Sequence, residues 1–163
     1  DCLALYNINR LYNKGQGAER DQQKEAEYAI KAAECLEDHP DGKWMLKPYH
    51  YAGVHYLSGK GVERNLEKAI YWFKIGARAG NPRDSLNLGS IYRNDFGDSA
   101  KAWAFYTLAV EQGGATTDGG EDVKDYADQM FYELSDEEAI KGKAFFTDEL
   151  GVYRRSCLIP KYC

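Results

Sequence analysis

Three histidines are the first candidates for catalysis or metal binding in this chain. His50 and His55 are five residues apart, a spacing that turns them to different faces of a helix, and no H-E-x-x-H pattern is present. His39 precedes Pro40 in a predicted turn. We therefore interpret the histidines as solvated or packed side chains, and we predict neither a catalytic residue nor a metal site.

Motifs for other kinds of chemistry are also missing from the sequence. It contains no G-x-S-x-G elbow, no P-loop and no dinucleotide-binding fingerprint. The acidic stretch DGGED, residues 118–122, lacks the alternating oxygen ligands of a calcium loop and is interpreted as a solvated loop. The expectation is a protein that is not an enzyme and that carries no cofactor.

The four cysteines lie near the two ends of the chain, at Cys2, Cys35, Cys157 and Cys163. They allow three disulfide pairings and contain no C-x-x-C pair for zinc. If the first two helices run antiparallel, Cys2 comes beside Cys35, and Cys157 with Cys163 would then hold the C-terminal tail. Four reduced cysteines are the alternative. The bridged interpretation favours an oxidising compartment, which we take to be a bacterial periplasm.

Charge and hydropathy exclude some kinds of partner. The formal net charge of −5 argues against nucleic acid, because phosphate neutralisation needs a surplus of Lys and Arg. No run of about 18 apolar residues is present to span a bilayer. The chain opens with Asp1 and not with Met, from which we expect a fragment or a mature form. Its 163 residues suit a single domain, residues 1–163.

An internal repeat organises the sequence. Residues 52–80, AGVHYLSGKGVERNLEKAIYWFKIGARAG, provide the template. The first half recurs upstream as INRLYNKGQGAERD at an offset of 44 and downstream as LGSIYRN at an offset of 36. The second half recurs as KAWAFYTLAVEQG at an offset of 33. We assign repeats to residues 2–38, 45–80 and 82–113.

Each repeat is predicted to contain two helices joined by a Gly-x-Gly loop, because glycine allows the left-handed conformation that ends the first helix. Asp21 and Asn65 are plausible N-caps of the second helices. Gly53 and Gly89 fall inside first helices, where glycine costs about 1 kcal/mol relative to alanine. We expect close helix approach there, with a tyrosine one turn later filling the adjacent space.

These motifs resemble the Sel1-like repeat family, namely the LG-x-x-Y element, the G-x-G-V-x-x-N/D loop, the K-A-x-x-W/Y-x-x-x-A-A helix and the closing glycine. The resemblance covers residues 4–38 and 45–113, with a shortened loop, NDFGD, in the third repeat. It implies an all-α fold in which helical hairpins stack into a right-handed superhelix, or solenoid. It also implies protein-interaction scaffolding. Related β-lactam-binding proteins carry a cysteine pair in every repeat, which this chain lacks.

The chain after the third repeat continues the helical pattern in degenerate form. Residues 121–149 are predicted to form a last helical pair, and Ser135 with Glu138 forms a capping-box pattern. Terminal repeats of solenoids are usually atypical because their outer face meets water. Residues 150–163 are predicted to be an irregular tail held by its cysteines.

A partner-binding surface is predicted on the concave side, which the first helices of stacked hairpins line. Counting from the mid-helix glycines gives the predicted groove residues: Tyr6, Arg10, Lys47, His50, Val54, Leu57, Arg83, Leu86, Ser90 and Arg93. The set is basic with apolar residues between, on a chain of net negative charge. It would suit an acidic surface of a partner protein. The alternative is a row of ordinary solvated helix positions.

Two functions fit a repeat protein without catalytic residues. Similar proteins include periplasmic immunity proteins that bind and inhibit toxic effectors, in particular phospholipases delivered by type VI secretion, and this is the function that we expect. The alternative is a scaffold or adaptor in an envelope or cytoplasmic regulatory pathway. Both hypotheses name another protein as the partner and exclude nucleic acid.

Overall fold

The fold is all-α in a computed structural model that describes residues 1–15, 19–38, 46–114, 116 and 122–150. Over these residues there are eight helices: α1 (Cys2–Lys14), α2 (Gln22–Asp38), α3 (Lys47–Ser58), α4 (Leu66–Arg78), α5 (Pro82–Asn94), α6 (Ser99–Glu111), α7 (Val123–Glu133) and α8 (Asp136–Asp148). No strand occurs in that part of the chain, where Thr116 and Asp122 form an isolated antiparallel bridge. The predicted all-α fold class is confirmed.

The chain divides into two compact units, and each is described by itself. The first unit is Asp1–Ile75 and the second is Gly76–Cys163, so the division falls inside α4. Among the described residues, no helix combines the length and the apolar character needed to cross a membrane.

The core of the first unit is built on an alanine face of α2. Ala26, Ala29, Ala32 and Ala33 are all fully buried and recur at helical spacing, so that α2 can lie close to α1 and α3. Larger side chains close this core from the other helices: Tyr6, Tyr49 and Trp72. Small residues on one helix and aromatic rings on its neighbours are therefore what fill the interior.

Helix α6 is the centre of the second unit and packs against α5, α7 and α8. Its buried residues include Phe105, Leu108 and Ala109. Helix α8 approaches closely at Gly142, where an added β-carbon would lie 3.0 Å from the carbonyl oxygen of Ala100 and 2.9 Å from the ring of Trp103. The last two helices therefore both use α6 as their packing surface.

The glycines inside the first helices allow an aromatic ring to pack directly on the backbone. A β-carbon at Gly53 would lie 2.5 Å from the ring of Phe73, and one at Gly89 would lie 3.1 Å from the ring of Tyr106. The expected close approach is confirmed. Phe73 and Tyr106 belong to the second helix of each pair, so the ring that covers each glycine comes from across the hairpin.

The tyrosine one turn after each of these glycines does not fill the space beside the glycine. Its ring contacts the ammonium group of a lysine. In each repeat, an Asp or Asn caps the second helix, the lysine three residues later donates its backbone N–H to that cap, and its ammonium lies over the tyrosine ring at 5.1–5.4 Å. These three cap, lysine and tyrosine sets are Asp21, Lys24 and Tyr12; Asn65, Lys68 and Tyr56; and Asp98, Lys101 and Tyr92. A cation over a ring at an exposed site contributes about 0.5–1 kcal/mol. Each set therefore joins the two helices of its own hairpin.

The predicted helix ends are also found. Asp21 and Asn65 cap α2 and α4 through their side-chain oxygens, as predicted. Gly59 and Gly61 have φ values of 70° and 78° in the loop after α3, which confirms the left-handed turn. The capping box is present at the start of α8, where the Ser135 and Glu138 side chains satisfy each other's backbone N–H groups.

Candidate functional site

Helix α3 carries four of the predicted groove residues on one face. Lys47, His50, Val54 and Leu57 are separated by three, four and three residues, which places them along one side of a helix. Lys47 is exposed, and the other three are half-buried. The His50 ring lies 5.8 Å from the ring of Tyr51, centroid to centroid, so this histidine takes part in packing. The helix therefore presents one exposed cation beside a partly exposed apolar surface.

Helix α5 repeats this arrangement in the second unit. Arg83 and Arg93 are exposed at its two ends, with Leu86 and Ser90 half-buried between them. The Arg93 guanidinium carbon lies 5.1 Å from the centre of the Tyr126 ring on α7, so the charge is held in place by an aromatic face. Helix α5 thus carries an exposed arginine near each end of this face.

Helix α1 carries Tyr6 and Arg10, and the structure separates their roles. Arg10 is exposed, and its guanidinium lies 5.9 Å from the centre of the Tyr6 ring. Tyr6 is only 8% exposed, because it packs in the core of the first unit and stacks on Tyr51 of α3. Tyr6 therefore supports Arg10 and exposes little area of its own, and its role as a contact residue stays a prediction.

Leu86 lies three residues before Gly89. Tyr6 has the equivalent position in the first repeat, three residues before Asn9. Leu86 packs against the second unit's core cluster, which includes Val123, Ala127 and Met130 of α7. Leu86, like Tyr6, is thus taken up in part by packing within its own unit.

Ser90 is also tied into the fold. Its hydroxyl oxygen lies 3.0 Å from the hydroxyl oxygen of Tyr106, the residue whose ring covers Gly89. Burial raises the pKa of Tyr106, and the nearby Ser90 hydroxyl and Arg93 charge oppose that rise. Ser90 is therefore held by the tyrosine that packs on Gly89.

The histidines do not form a metal site in the described residues. His55 is buried, its Nδ1 lies 2.8 Å from the carbonyl oxygen of Lys60, and its Nε2 lies 3.7 Å from Oε1 of Glu25. No group of three possible His, Cys, Asp or Glu ligands occurs in the described segments. His39 lies outside them, and so does most of the DGGED stretch, whose Asp122 caps α7.

Cys2 and Cys35 form a disulfide that joins the start of α1 to the end of α2, with their Cα atoms 5.4 Å apart. The two helices run antiparallel, so the first residue of one meets the last turn of the other. Cys157 and Cys163 lie outside the described residues, and their pairing stays a prediction.

Sequence reasoning missed the partners of His55. Glu25 lies 30 positions earlier on a different helix, and it also accepts a hydrogen bond from Nδ2 of Asn13 at 2.5 Å. These residues come into contact only because α1, α2 and α3 pack together, and their spacing in the sequence does not predict that contact. The burial of His55 is visible only in the structure.

Comparison with known proteins identifies the repeat. The family model described as the Sel1 repeat matches residues 3–35, 49–81 and 86–114, which together make up more than half of the chain. The three matched segments fall on the three helical pairs α1–α2, α3–α4 and α5–α6 and cover most of each pair.

Two solved structures are similar in fold. One is a Sel1 repeat protein from Oxalobacter formigenes, with a TM-score of 0.58 and 22% identity over 93% of this chain and 65% of that one. The other is a protective antigen of uropathogenic Escherichia coli strains that displays an SLR fold, with a TM-score of 0.56 and 18% identity over 95% of this chain and 39% of that one. This chain thus spans less than two thirds of each of these structures.

Sel1 repeat proteins are generally scaffolds for protein interactions. Three repeats matched at the helical pairs, together with two solved structures of the same fold, show that this chain belongs to the Sel1 repeat family.

Proposed function

We propose that this protein is a periplasmic immunity protein that binds and inhibits a secreted antibacterial effector, such as a phospholipase delivered by type VI secretion. The observation that carries the proposal is that each unit has two exposed cations on its first helices, Arg10 and Lys47 in the first unit and Arg83 and Arg93 in the second. These cations occur on a chain of net charge −5, so they concentrate positive charge against the overall sign. An effector with an acidic contact surface is the complementary partner.

The way two of these cations are held supports recognition. Arg10 and Arg93 each lie over a tyrosine ring, which restricts the side chain before a partner arrives. Restricting a long side chain in advance reduces the entropy cost of association, which is about 0.5–1.5 kcal/mol for each immobilised side chain. Val54 and Leu57, both half-buried on α3, add apolar area beside Lys47.

The disulfide supports the proposed compartment. Disulfides persist in oxidising environments such as the periplasm and are rare in the cytosol. The Cys2–Cys35 bridge closes a loop over most of the first repeat. A secreted effector would be met in that same oxidising compartment.

The direct test uses the candidate effector encoded beside this protein's gene. We expect the purified proteins to form a complex and the effector's lipid hydrolysis to fall as the complex forms. An adjacent gene for a secreted hydrolase whose activity is unchanged by this protein would contradict the immunity role. Binding without inhibition would favour the scaffold or adaptor function.

Charge reversal on α5 tests which surface binds. Arg83→Glu combined with Arg93→Glu should lower the association rate about tenfold or more at low salt, because it replaces attraction by repulsion. Lys31→Glu combined with Lys141→Glu is the matched control, with the same charge change on the exposed surfaces of α2 and α8. Equal effects from the two double variants would exclude α5 as the contact.

The corresponding test in the first unit is Arg10→Glu combined with Lys47→Glu, which should also lower the association rate. A separate variant, Arg10→Glu combined with Arg93→Glu, changes one cation in each unit and should reduce binding more than either single change. Wild-type affinity in this Arg10 and Arg93 variant would remove the first-helix cations from the proposal.

A further inference from the structure

A polar cleft in the first unit lies apart from the exposed cations on which the proposed function rests. It has a volume of about 360 Å³, within the range of small-ligand pockets. Its lining comes from the end of α1, the segment that begins α2, and α3 with the loop that follows it, and it includes Tyr12, Asn13, Glu25, Tyr51, Val54 and His55. The proposed function uses only Val54 of this set.

Two hydrogen-bond acceptors lie side by side in this cleft. Oε1 of Glu25 and Nε2 of His55 are 3.7 Å apart, and their side chains are only 16% and 7% exposed. In the neutral ring, Nδ1 carries the hydrogen, since it lies 2.8 Å from the carbonyl oxygen of Lys60. Nε2 then accepts and cannot donate to Glu25. Oε1 of Glu25 already accepts one hydrogen bond from Asn13, and a carboxylate oxygen can accept a second. Nε2 and this second acceptor position are therefore suited to a donor that comes from outside the chain.

The acceptors are fixed in position before any ligand arrives. Asn13 donates to the Glu25 carboxylate at 2.5 Å, and Asn9 donates to the Glu25 backbone carbonyl at 2.7 Å. His55 is held by its bond to the Lys60 carbonyl. Such restraint lowers the cost of binding, because the groups do not need to be ordered by the ligand.

Aromatic side chains form part of the cleft wall and are themselves held by stacking. Tyr12 stacks on Tyr28 with centroids 5.8 Å apart, and Tyr51 stacks on Tyr6 at 6.2 Å. Aromatic and apolar walls suit the aliphatic stem of a long basic side chain. The nearby Lys24 is engaged elsewhere, since its ammonium lies 3.7 Å from Asp21 and over the Tyr12 ring.

The charged side chains that line the cleft favour a positively charged ligand. Arg20 and Lys60 are exposed, so solvent and salt screen them, whereas the Glu25 carboxylate lies largely inside the cleft. A cation that reaches Glu25 exchanges water for a charge-assisted hydrogen bond in a partly desolvated site. An anion in the same place would meet this carboxylate at short range.

We propose that this cleft binds the guanidinium or primary ammonium group of a basic side chain from a partner protein, with Glu25 and Nε2 of His55 as its acceptors. The aliphatic stem of that side chain lies along Tyr51 and Val54. The site shares Val54 with the partner surface proposed above but none of its cations, so either inference can fail without the other.

Isothermal titration of the full chain with N-acetyl-arginine amide tests the site. The capped citrulline amide is the matched probe, because it has nearly the same shape and carries no charge. We expect the arginine probe to bind at least about tenfold more tightly, since a hydrogen bond between charged groups is lost with citrulline. Equal binding of the two probes, or no binding of the arginine probe up to about 10 mM, overturns the proposal.

Variants locate the binding. Glu25→Gln should weaken the arginine probe about tenfold or more, while Glu27→Gln, on the exposed side of the same helix, should leave it unchanged. Circular dichroism checks that both variants fold. If Glu25→Gln does not fold, the comparison of the two probes on the wild-type chain still decides the question.

Agmatine distinguishes the source of the cation. It carries the same guanidinium with a free primary ammonium in place of the capped backbone, and a site that binds only the guanidinium end of a side chain should bind the two probes within a few-fold of each other. Strong binding of agmatine with weak binding of the capped arginine would overturn the assignment to a partner's side chain and would indicate a free small amine as the ligand.

Discussion

Removing the Cys2–Cys35 disulfide is expected to destabilise the protein strongly. The bridge joins residues 33 positions apart and so restricts the unfolded chain over the whole first hairpin. In the chain-entropy model, closing a loop of that length contributes about 3.7 kcal/mol at 25 °C. Because small domains are typically stable by about 5–15 kcal/mol, this is a large share of the total.

The assay is urea unfolding followed by circular dichroism, in a background where Cys157 and Cys163 are both serine. Oxidised and reduced forms of this protein contain the same atoms in the core apart from the bond itself, so their difference measures the cross-link. With a typical m-value near 2 kcal/mol/M, the midpoint should fall by about 2 M on reduction. The variant with Cys2→Ala and Cys35→Ala should resemble the reduced form and should not respond to reductant.

A difference below about 1 kcal/mol between oxidised and reduced forms would refute the reasoning. It would mean that the unfolded chain is already compact around the first hairpin, so that the bond removes little freedom. A reductant effect of equal size in the double alanine variant would show that the change comes from another source.

Three further predictions concern local contacts. Gly53→Ala should cost about 1–3 kcal/mol because the buried Phe73 ring cannot yield, whereas Gly89→Ala should be near neutral, as measured by thermal unfolding. Lys68→Met should lower the free energy of unfolding by about 0.5–1 kcal/mol, because it removes the cation over the Tyr56 ring. Lys68→Arg keeps a cation there and should have nearly the wild-type stability. Hydrogen bonds from Ser135 lower the pKa of Glu138 below the ordinary glutamate value of 4.5. The ionised Glu138 side chain therefore stabilises the fold fully above pH 4.5, and this stabilisation is lost as the pH falls below that value. In Glu138→Gln the stability measured by urea unfolding should therefore depend less on pH in that range.

Local features of the fold could be predicted from sequence because their physical causes are local. A left-handed turn needs glycine at Gly59 and Gly61, and a helix start needs a polar cap such as Asp21 or Asn65. The close approach that the mid-helix glycines predict is found at both Gly53 and Gly89. Their spacing gave the repeat, and the repeat gave the all-α fold class.

Packing between the two helices of a hairpin decides which side chain lies against each mid-helix glycine. Sequence spacing predicted that the tyrosine one turn after Gly53 would fill its space, but Phe73 of the second helix lies there. Tyr56 instead holds Lys68, an arrangement that repeats in all three hairpins. Such pairs depend on the distance between two helices, which periodicity along one helix does not specify.

The sequence by itself determined the repeat, the helices and their caps, because neighbouring residues control backbone conformation. Only the tertiary structure decided which predicted groove residues stay exposed, placing Tyr6 in the core and leaving Arg10 at the surface. It also brought Glu25 to His55 from another helix. Burial and contact between distant residues depend on how helices stack, and no local pattern in the chain contains that information.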